Sequence, residues 1–280
     1  MRRIYKSDNT LLVELSGEYF SIKHSLTDLL SMDIKEARSI IEAANTPVKA
    51  PTHVAAPIDS HHEVWACGVT YLRSKVGRME ESDVPDLYSR VYDADRPEIF
   101  YKAVGWRVIP NGEPVGIRRD SGWDVPEAEV VLVVNSHKEI FGYTIGNDMS
   151  SRSIEGENTL YLPQAKSYEK ACTIGSFIVP SWEIAEAVFP YTLSVERKGT
   201  EVFTGSSSSA QMKRGFEELV DWLFRTLSMP TGAMLFTGTG IVPDAEFTLH
   251  EGDVVKINGG VLGELNNPVM LVSRRDERLI

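Results

Sequence analysis

The sequence predicts a strand-rich α+β fold, made of a small N-terminal domain and a larger β-rich domain. Many short apolar runs separated by Gly, Pro, Asn and Asp are typical of strands and turns. Only two segments have clear helical periodicity, and a proline-rich stretch separates the first 45 residues from the rest. A chain of 280 residues is long enough to bury a large core.

The N-terminal part contains short runs of apolar residues followed by one helical pattern. Residues 11–15 and 19–22 predict strands, and residues 34–44 predict a helix. Three prolines between positions 47 and 57 disfavour both helix and sheet, and they predict an extended linker. We therefore expect an N-terminal domain with its linker at residues 1–58 and a second domain at residues 59–280.

The second domain is predicted to consist mainly of strands. The expected strands are residues 63–69, 106–109, 115–118, 129–134, 140–145, 174–179, 191–197, 233–237, 246–249 and 253–258. The clearest helix is Ala210 to Leu227, whose apolar residues recur at helical spacing. The serines at positions 206–209 predict the loop before this helix, with Ser209 as its N-cap.

Composition and charge exclude several classes of function. The chain has 29 basic and 40 acidic residues and a net charge of −11, without a basic stripe for nucleic acid or an anionic membrane. It has no apolar segment of the roughly 20 residues that span a bilayer, and no signal-peptide core. Two cysteines fit a reducing compartment, so we expect a cytoplasmic protein.

Two acids stand at the beginning of the most apolar run. Glu127 and Glu129 are two residues apart, and in a strand such residues point to the same face. Asp148 ends the next strand-like run. Neighbouring carboxylates repel each other unless a cation neutralises them, and oxygen ligands suit Mg²⁺ or Mn²⁺. These acids predict one divalent metal site, with exposed acids on the polar face of a strand as the alternative.

An ordered set of motifs resembles the fumarylacetoacetate hydrolase superfamily over residues 60 to 270. The motifs are residues 65–71 (WACGVTY), 100–102 (FYK), 127–129 (EAE), 146–152 (GNDMSSR), 165–168 (AKSY) and 237–240 (TGTG). The resemblance implies a mixed β-sheet roll or barrel with a small N-terminal domain, and a homodimer or homotetramer. It also implies that Glu127, Glu129 and Asp148 bind Mg²⁺, with Mn²⁺ or Ca²⁺ as alternatives.

Two further residues match functional positions of that family. Lys166 matches the active-site lysine, and Thr239 matches the threonine that helps to hold the substrate's carboxylate. The family's hydrolases have a histidine on the segment after the Gly-x-x-Tyr motif, but residues 72–78 here contain none. His61 and His62 are interpreted as surface residues, with a displaced role of either in place of that histidine as the alternative. Residues 92–102 and 155–166 resemble the 2-keto-3-deoxy-D-arabinonate dehydratase-like branch instead.

The resemblance implies a Mg²⁺-dependent dehydratase (a lyase) of sugar acid catabolism. Its substrate is expected to be a 2-keto-3-deoxy acid, which reacts through a metal-stabilised enolate to a 2-oxo semialdehyde-type product. Lys166 is the expected base or enolate stabiliser, with a salt bridge to the metal-site acids as the alternative. Glu98 is the expected acid for the leaving hydroxyl, with an ordinary exposed carboxylate as the alternative.

The remaining substrate contacts are assigned to residues around these positions. We expect Arg73, Ser74, Lys102 and Glu155 to bind the substrate together with Thr239. One alternative function uses the same metal site: a C–C bond hydrolase or decarboxylase of an acylpyruvate-like or oxaloacetate-like acid. The other is a non-enzymatic binding module stabilised by a metal.

Overall fold

The computed structural model describes residues 1–8, 10–81 and 85–272 of the chain. The first part of the chain forms a small unit of strands and helices. Its elements are β1 (Arg2–Ser7), β2 (Thr10–Leu15), β3 (Glu18–Ile22), α1 (Leu26–Ser31), α2 (Ile34–Glu42) and β4 (Thr46–Val48). Both helices begin at a side-chain cap: Ser25 accepts from the Asp28 N–H, and Asp33 accepts from the Lys35 and Glu36 N–H groups.

The rest of the described chain is rich in strands. These are β5 (Glu63–Gly68), β6 (Glu98–Val104), β7 (Val115–Arg118), β8 (Asp124–Val125), β9 (Ala128–Val134), β10 (Ile140–Asp148), β11 (Ser150–Ser151), β12 (Cys172–Ile174), β13 (Phe177–Pro180), β14 (Pro190–Arg197), β15 (Thr200–Ser208), β16 (Ala233–Phe236), β17 (Val254–Asn258) and β18 (Glu264–Val272). The α-helices are α3 (Leu72–Glu81), α4 (Pro85–Asp93), α5 (Arg152–Glu157), α6 (Leu162–Lys166) and α7 (Phe216–Phe224). Short 3-10 turns lie at Gly105–Arg107, Thr159–Tyr161, Ser181–Glu183, Ser209–Gln211 and Gly260–Leu262.

Two large sheets organise these strands. The longer sheet has the order β4-β3-β2-β1-β13-β10-β9-β16-β5-β6, with β12 paired to β10. The second has the order β15-β14-β17-β18-β7. Each contains one parallel pair, β16 with β5 and β18 with β7, so both sheets are mixed. The predicted strand-rich fold is confirmed, but the described strands form open sheets and do not close into a barrel.

The N-terminal strands belong to the longer sheet, because β1 pairs with β13. The predicted linker is partly ordered as a strand, since Thr46–Val48 pairs with β3. A division into domains at residue 58 stays a prediction. Among the helices of the described residues, none is both long enough and apolar enough to cross a membrane.

Strand β9 has its side chains buried on both faces, which explains its continuous apolar run. Val130, Leu132 and Val134 contribute to the core shared with β14, β17 and α7. Val131 and Val133 contribute to the core shared with the N-terminal unit. The acids at the beginning of β9 are thus attached to a strand that both parts of the core hold in place.

Several expectations about single elements were wrong. Residues 106–109 and 246–249 form no strand; a 3-10 turn occupies Gly105–Arg107, and the Phe247 N–H bonds back to the Asp244 carbonyl in a turn. The helix predicted for Ala210–Leu227 is only Phe216–Phe224, because Gly215 is its N-cap. Ser206–Ser208 belong to β15, and Ser209 accepts a bond from the Phe189 N–H instead of capping the helix.

Candidate active site

Three acids converge where β9 and β10 meet. The two strands are antiparallel with Glu129 opposite Gly146, and the Asp148 N–H donates to the Glu127 carbonyl over 2.9 Å. All three side chains are buried, and Glu127, Glu129 and Asp148 each offer a carboxylate oxygen within 4.8 Å of the others. The chain therefore contains an oxygen-rich cluster that could hold a divalent metal, as the spacing predicts.

Glu129 has an unfavourable environment for a negative charge. Burial and the nearby carboxylates of Asp148 and Glu127 raise its pKa well above the usual range, although the Gly238 N–H donates to it over 2.6 Å. Such repulsion is what a bound divalent cation would relieve. The structure thus favours a metal site over the alternative of exposed acids.

Lys166 lies at the end of α6 and points into the acid cluster. Its Nζ donates to Glu127 Oε2 over 2.5 Å, to Asp148 Oδ2 over 3.0 Å and to Ser150 Oγ over 2.6 Å. The salt bridges expected under the structural alternative are therefore present. They also place the amine beside the proposed metal ligands, where a base acting on bound substrate would have to be.

Lys102 lies deeper in the fold than its predicted role requires. Its ammonium pairs with Asp148 and donates to the carbonyls of Met149, over 2.9 Å, and of Lys166, over 2.5 Å. The whole side chain is buried. These contacts hold Asp148 and the backbone of Lys166 in place, and a direct contact of Lys102 with substrate stays a prediction.

Arg152 is a pocket residue that sequence reasoning missed. Its guanidinium donates to Glu127 over 2.6 Å and to Glu155 over 3.0 Å, and all three side chains are buried. Arg152 follows directly on the Asp-x-Ser-Ser segment that ends at Ser151, which is the signal that could have found it. It compensates part of the negative charge and fixes Glu155 at the pocket wall.

Glu98 lies at the beginning of β6, opposite Gly68 of β5. A Cβ atom at position 68 would overlap the Glu98 carboxylate, so the glycine allows this close approach. The next residue, Val69, has a φ of 52°, a strained value for a β-branched side chain. The pocket wall at the end of β5 is therefore built around the position of Glu98.

The loop with Thr239 closes another side of the pocket. Gly238 has a φ of 90°, which favours glycine, and the Thr70 hydroxyl donates to the Thr237 carbonyl over 2.7 Å. The Thr239 hydroxyl accepts from the Ile241 N–H over 3.2 Å. Thr239 thus has a fixed orientation beside the acid cluster.

Arg73 and Ser74 lie in the first turn of α3. The Ser74 hydroxyl lines the pocket but also donates to the Tyr71 carbonyl over 2.8 Å. The exposed Arg73 side chain donates to the Val242 carbonyl over 3.4 Å. His62 is buried, not on the surface as expected, whereas His61 is exposed.

Most of these groups line one pocket. It is lined by Cys67, Gly68, Val69, Ser74, Glu98, Phe100, Glu127, Glu129, Arg152, Glu155, Leu162, Lys166, Gly238, Thr239 and Val242. Of the ten residues that the sequence predicted, seven line this pocket; Asp148 and Lys102 lie behind it, and Arg73 lies outside.

The family model for the fumarylacetoacetate (FAA) hydrolase C-terminal domain matches residues 64–270. The chain belongs to this family. The match includes the acid cluster, Lys166 and the Thr239 loop, so the resemblance identified from the motifs is confirmed.

Two relatives within the family are similar over most of their length. The chain is 42% identical to the probable 2-keto-3-deoxyxylonate dehydratase of Haloferax volcanii, over 90% of this chain and 86% of that protein. It is 41% identical to the 2-dehydro-3-deoxy-D-arabinonate dehydratase of Saccharolobus solfataricus, over 77% of this chain and 74% of that protein.

The fold is also that of a solved dehydratase. A structure of 2-keto-3-deoxy-D-arabinonate dehydratase complexed with magnesium and 2,5-dioxopentanoate superimposes with a TM-score of 0.85 at 31% identity. The superposition covers 98% of this chain and 100% of that one. That solved protein therefore binds magnesium and 2,5-dioxopentanoate.

Proposed function

We propose that this chain is a Mg²⁺-dependent hydro-lyase that removes water from a 2-keto-3-deoxy sugar acid and gives a 2-oxo semialdehyde. The observation that carries the proposal is one pocket that is lined by Glu127 and Glu129 of the acid cluster together with Lys166 and Glu98. The two relatives that are 41% and 42% identical support the substrate class.

The acid cluster fits magnesium on the chemistry of its donors. Glu127, Glu129 and Asp148 supply three oxygen ligands, which leaves positions of an octahedral ion open for substrate and water. Bound Mg²⁺ would withdraw electron density from the carboxylate and 2-keto oxygens of the substrate and so acidify its C3 protons.

Lys166 is proposed to take a proton from C3. Its Nζ is already held by Glu127, Asp148 and Ser150, so the group is oriented before substrate binds. A bound divalent cation would repel the ammonium and so favour the neutral amine, which can accept the C3 proton. Thr239, on the fixed loop beside the cluster, is proposed to hold the substrate's carboxylate. Ser74, Glu155 and Arg73 are proposed to contact the hydroxyl groups.

Glu98 is proposed to protonate the C4 hydroxyl. As the C3–H electron pair forms the C3–C4 double bond, the C4–O bond breaks and the hydroxyl leaves as water with the proton from Glu98. For a five-carbon acid the product is a 3-ene with a C5 hydroxyl. This product then isomerises to the C5 aldehyde. One hydrogen leaves C5 and one leaves its hydroxyl group, and C3 and C4 gain one hydrogen each, so the composition does not change.

The names of the two relatives point to the same substrate, if both of the parent sugar acids have the D configuration. Arabinonate and xylonate differ in configuration at C2 and C3 only. A C2 ketone and a C3 methylene remove both centres, so the two D acids give the same 2-keto-3-deoxy compound with one remaining centre at C4. We propose this compound as the substrate.

The assay should follow product formation from a panel of acids, with and without Mg²⁺ after treatment with EDTA. The panel contains 2-keto-3-deoxy-D-arabinonate, its C4 epimer, the six-carbon 2-keto-3-deoxygluconate, acetylpyruvate and oxaloacetate. We expect Mg²⁺-dependent loss of about 18 mass units, the mass of one water molecule, from the first acid. The product should contain an aldehyde that hydrazine reagents trap. Cleavage of acetylpyruvate or oxaloacetate, with no dehydration of the sugar acids, would support the hydrolase or decarboxylase instead.

We further propose that the protein is a homodimer or homotetramer of the cytoplasm. The family resemblance supports self-association, and the enzymes named for the two relatives act on intermediates of sugar breakdown. Light scattering coupled to size-exclusion chromatography tests the oligomeric state, and a monomer at micromolar concentration would contradict it.

A further inference from the structure

Helices α3 and α4 form an insertion between two neighbouring strands of the longer sheet. Strand β5 ends at Gly68, the helices occupy Leu72–Glu81 and Pro85–Asp93, and β6 begins at Glu98. Ser74 lies at the first end of this insertion, and Glu98 lies directly after its second end. Both side chains line the pocket, so the position of the insertion shapes the site.

Lys213 contacts both ends of the insertion, and its neighbour Arg214 contacts the second end; both residues precede α7. The Lys213 N–H donates to the Thr70 carbonyl over 2.9 Å, just before α3. The Lys213 ammonium donates to the Tyr92 carbonyl over 2.5 Å, near the end of α4, and lies 4.4 Å from the centre of the Tyr92 ring. One dipeptide therefore ties the first end of the insertion to the second.

Arg214 contacts the segment that leads into Glu98. Its guanidinium donates to the Asp95 carbonyl over 3.0 Å and to the Ala94 carbonyl, and it pairs with Glu218 over 2.5 Å. The side chain is only 8% exposed. These backbone contacts lie three and four residues before Glu98, and a buried guanidinium that bridges two carbonyls fixes their position.

The Glu98 carboxylate has little room for displacement. It lies against the α-carbon of Gly68, where even a Cβ atom would overlap it. A shift of residues 94–97 would therefore carry Glu98 away from this place on the pocket wall. Misplacing a catalytic group by about 1 Å can cost on the order of a hundredfold in rate.

We propose that Arg214 is a positioning residue for Glu98: by fixing the Ala94 and Asp95 carbonyls, it sets the place of the acid that protonates the leaving hydroxyl. This inference rests on the proposed function. Arg214 acts through the backbone and moves no proton itself. Its removal should slow the loss of the C4 hydroxyl and leave proton removal at C3 unaffected.

Two measurements on the Mg²⁺-loaded protein separate these steps. The first is kcat for dehydration of 2-keto-3-deoxy-D-arabinonate. The second is the exchange of C3 protons of 2-oxopentanoate for deuterium, followed by NMR; this probe has no C4 hydroxyl, so it needs Lys166 and not Glu98. For Arg214→Ala we expect about a tenfold lower kcat with C3 exchange within about twofold of the unmodified protein.

Arg225→Ala is the matched control, because Arg225 lies at the end of the same helix α7 and pairs with Asp221 at the surface. It should change neither measurement. Arg214→Lys, which retains a donor for one carbonyl, should recover part of the lost kcat. If Arg214→Ala does not fold, Arg214→Lys tests the inference instead. It should have a lower kcat for dehydration than the unmodified protein and a normal rate of C3 proton exchange.

An equal fall in dehydration and exchange would show that Arg214 supports the whole pocket and would overturn the inference. Unchanged dehydration in both Arg214 variants would overturn it as well. A normal dehydration rate in Glu98→Gln, or no C3 exchange by the unmodified protein, would contradict the proposed function and remove the inference with it.

Discussion

Two clusters of charged and polar side chains lie at the two ends of strand β5. At its beginning, Asp59 accepts bonds from Lys6, over 2.7 Å, and from the backbone and hydroxyl of Thr27, while His62 lies beside them. At its end, Glu127 and Glu129 line the pocket, and Asp148 completes the acid cluster behind them. We call the first group the junction cluster, because it joins the N-terminal unit to β5.

The two clusters differ in how well their charges are satisfied. In the junction cluster, burial would raise the pKa of Asp59, but hydrogen bonds from Lys6 and Thr27 outweigh it and lower that pKa to about 2. In the pocket, burial and repulsion raise the pKa of Glu129 instead. The comparison indicates that the junction cluster stabilises the fold, whereas the pocket keeps an electrostatic strain that a ligand can relieve.

The largest effect is expected from Glu129→Gln. A glutamine can still accept from the Gly238 N–H, but it removes one charged metal ligand. Activity should fall by about a thousandfold or more, because both metal binding and acidification of C3 are impaired. Without Mg²⁺ the variant should melt at the same temperature as the unmodified protein or higher, since a repulsion is lost. Calorimetric titration with Mg²⁺, kcat and thermal melting in EDTA test these points; unchanged turnover at saturating Mg²⁺ would contradict the metal assignment.

Glu98→Gln should have the next largest effect and should leave the metal site intact. Dehydration should slow by about a hundredfold, which is typical for the loss of a general acid. The affinity for Mg²⁺ should stay within about twofold, because Glu98 is not among the predicted ligands. Single-turnover kinetics and Mg²⁺ titration check the two parts, and normal dehydration would show that another group protonates the hydroxyl.

These two variants test residues that the sequence already indicated. Both residues could be identified from their near neighbours in the sequence alone. Glu127 and Glu129 are two apart at the beginning of a buried strand, so alternation alone places them on one face. Glu98 was identified by its place before the Phe-x-Lys motif. Strands β9 and β17 were also predicted, because their apolar patterns lie within a few neighbouring residues.

What the sequence missed depends on contacts between distant segments. Helix α3 is mostly polar, so its periodicity is weak, and the position of α3 and α4 depends on Lys213 and Arg214 far along the chain. Ser206–Ser208 look like a loop, but pairing with β14 makes them a strand. The burial of His62 depends on Thr27 from the N-terminal unit.

In the junction cluster, Asp59→Ala should affect stability and not chemistry. The change removes the acceptor of Lys6 and of Thr27, so it leaves a partly buried ammonium and hydroxyl without that partner. We expect a loss of about 2 kcal/mol in the free energy of unfolding. The kcat should stay near normal at about 25 °C, because this temperature lies well below typical melting temperatures. Urea unfolding and the dehydration assay measure the two. A fall in kcat as large as that of Glu98→Gln would show that the two ends of β5 are coupled.

The smallest effect concerns pH and His62. Burial lowers the pKa of His62 from 6.5 to about 4, against the attraction of Asp59. Between these values the unfolded chain binds a proton that the folded protein does not, so stability should fall as the pH drops from 6.5 towards 4. Asp59 acts in the same direction only below its unfolded pKa of 3.8.

Replacement of the ring by an uncharged amide isolates this contribution. The free energy of unfolding should decrease between pH 7 and pH 5.5 by about 1 kcal/mol less in His62→Gln than in the unmodified protein. His61→Gln is the matched control, because the His61 ring is exposed and contacts the same Thr27 hydroxyl. Urea unfolding at both pH values measures the difference. Equal pH dependence in all three proteins would mean that the folded protein takes up a proton at His62 as readily as the unfolded chain does, so that burial in the junction cluster does not disfavour the charged ring.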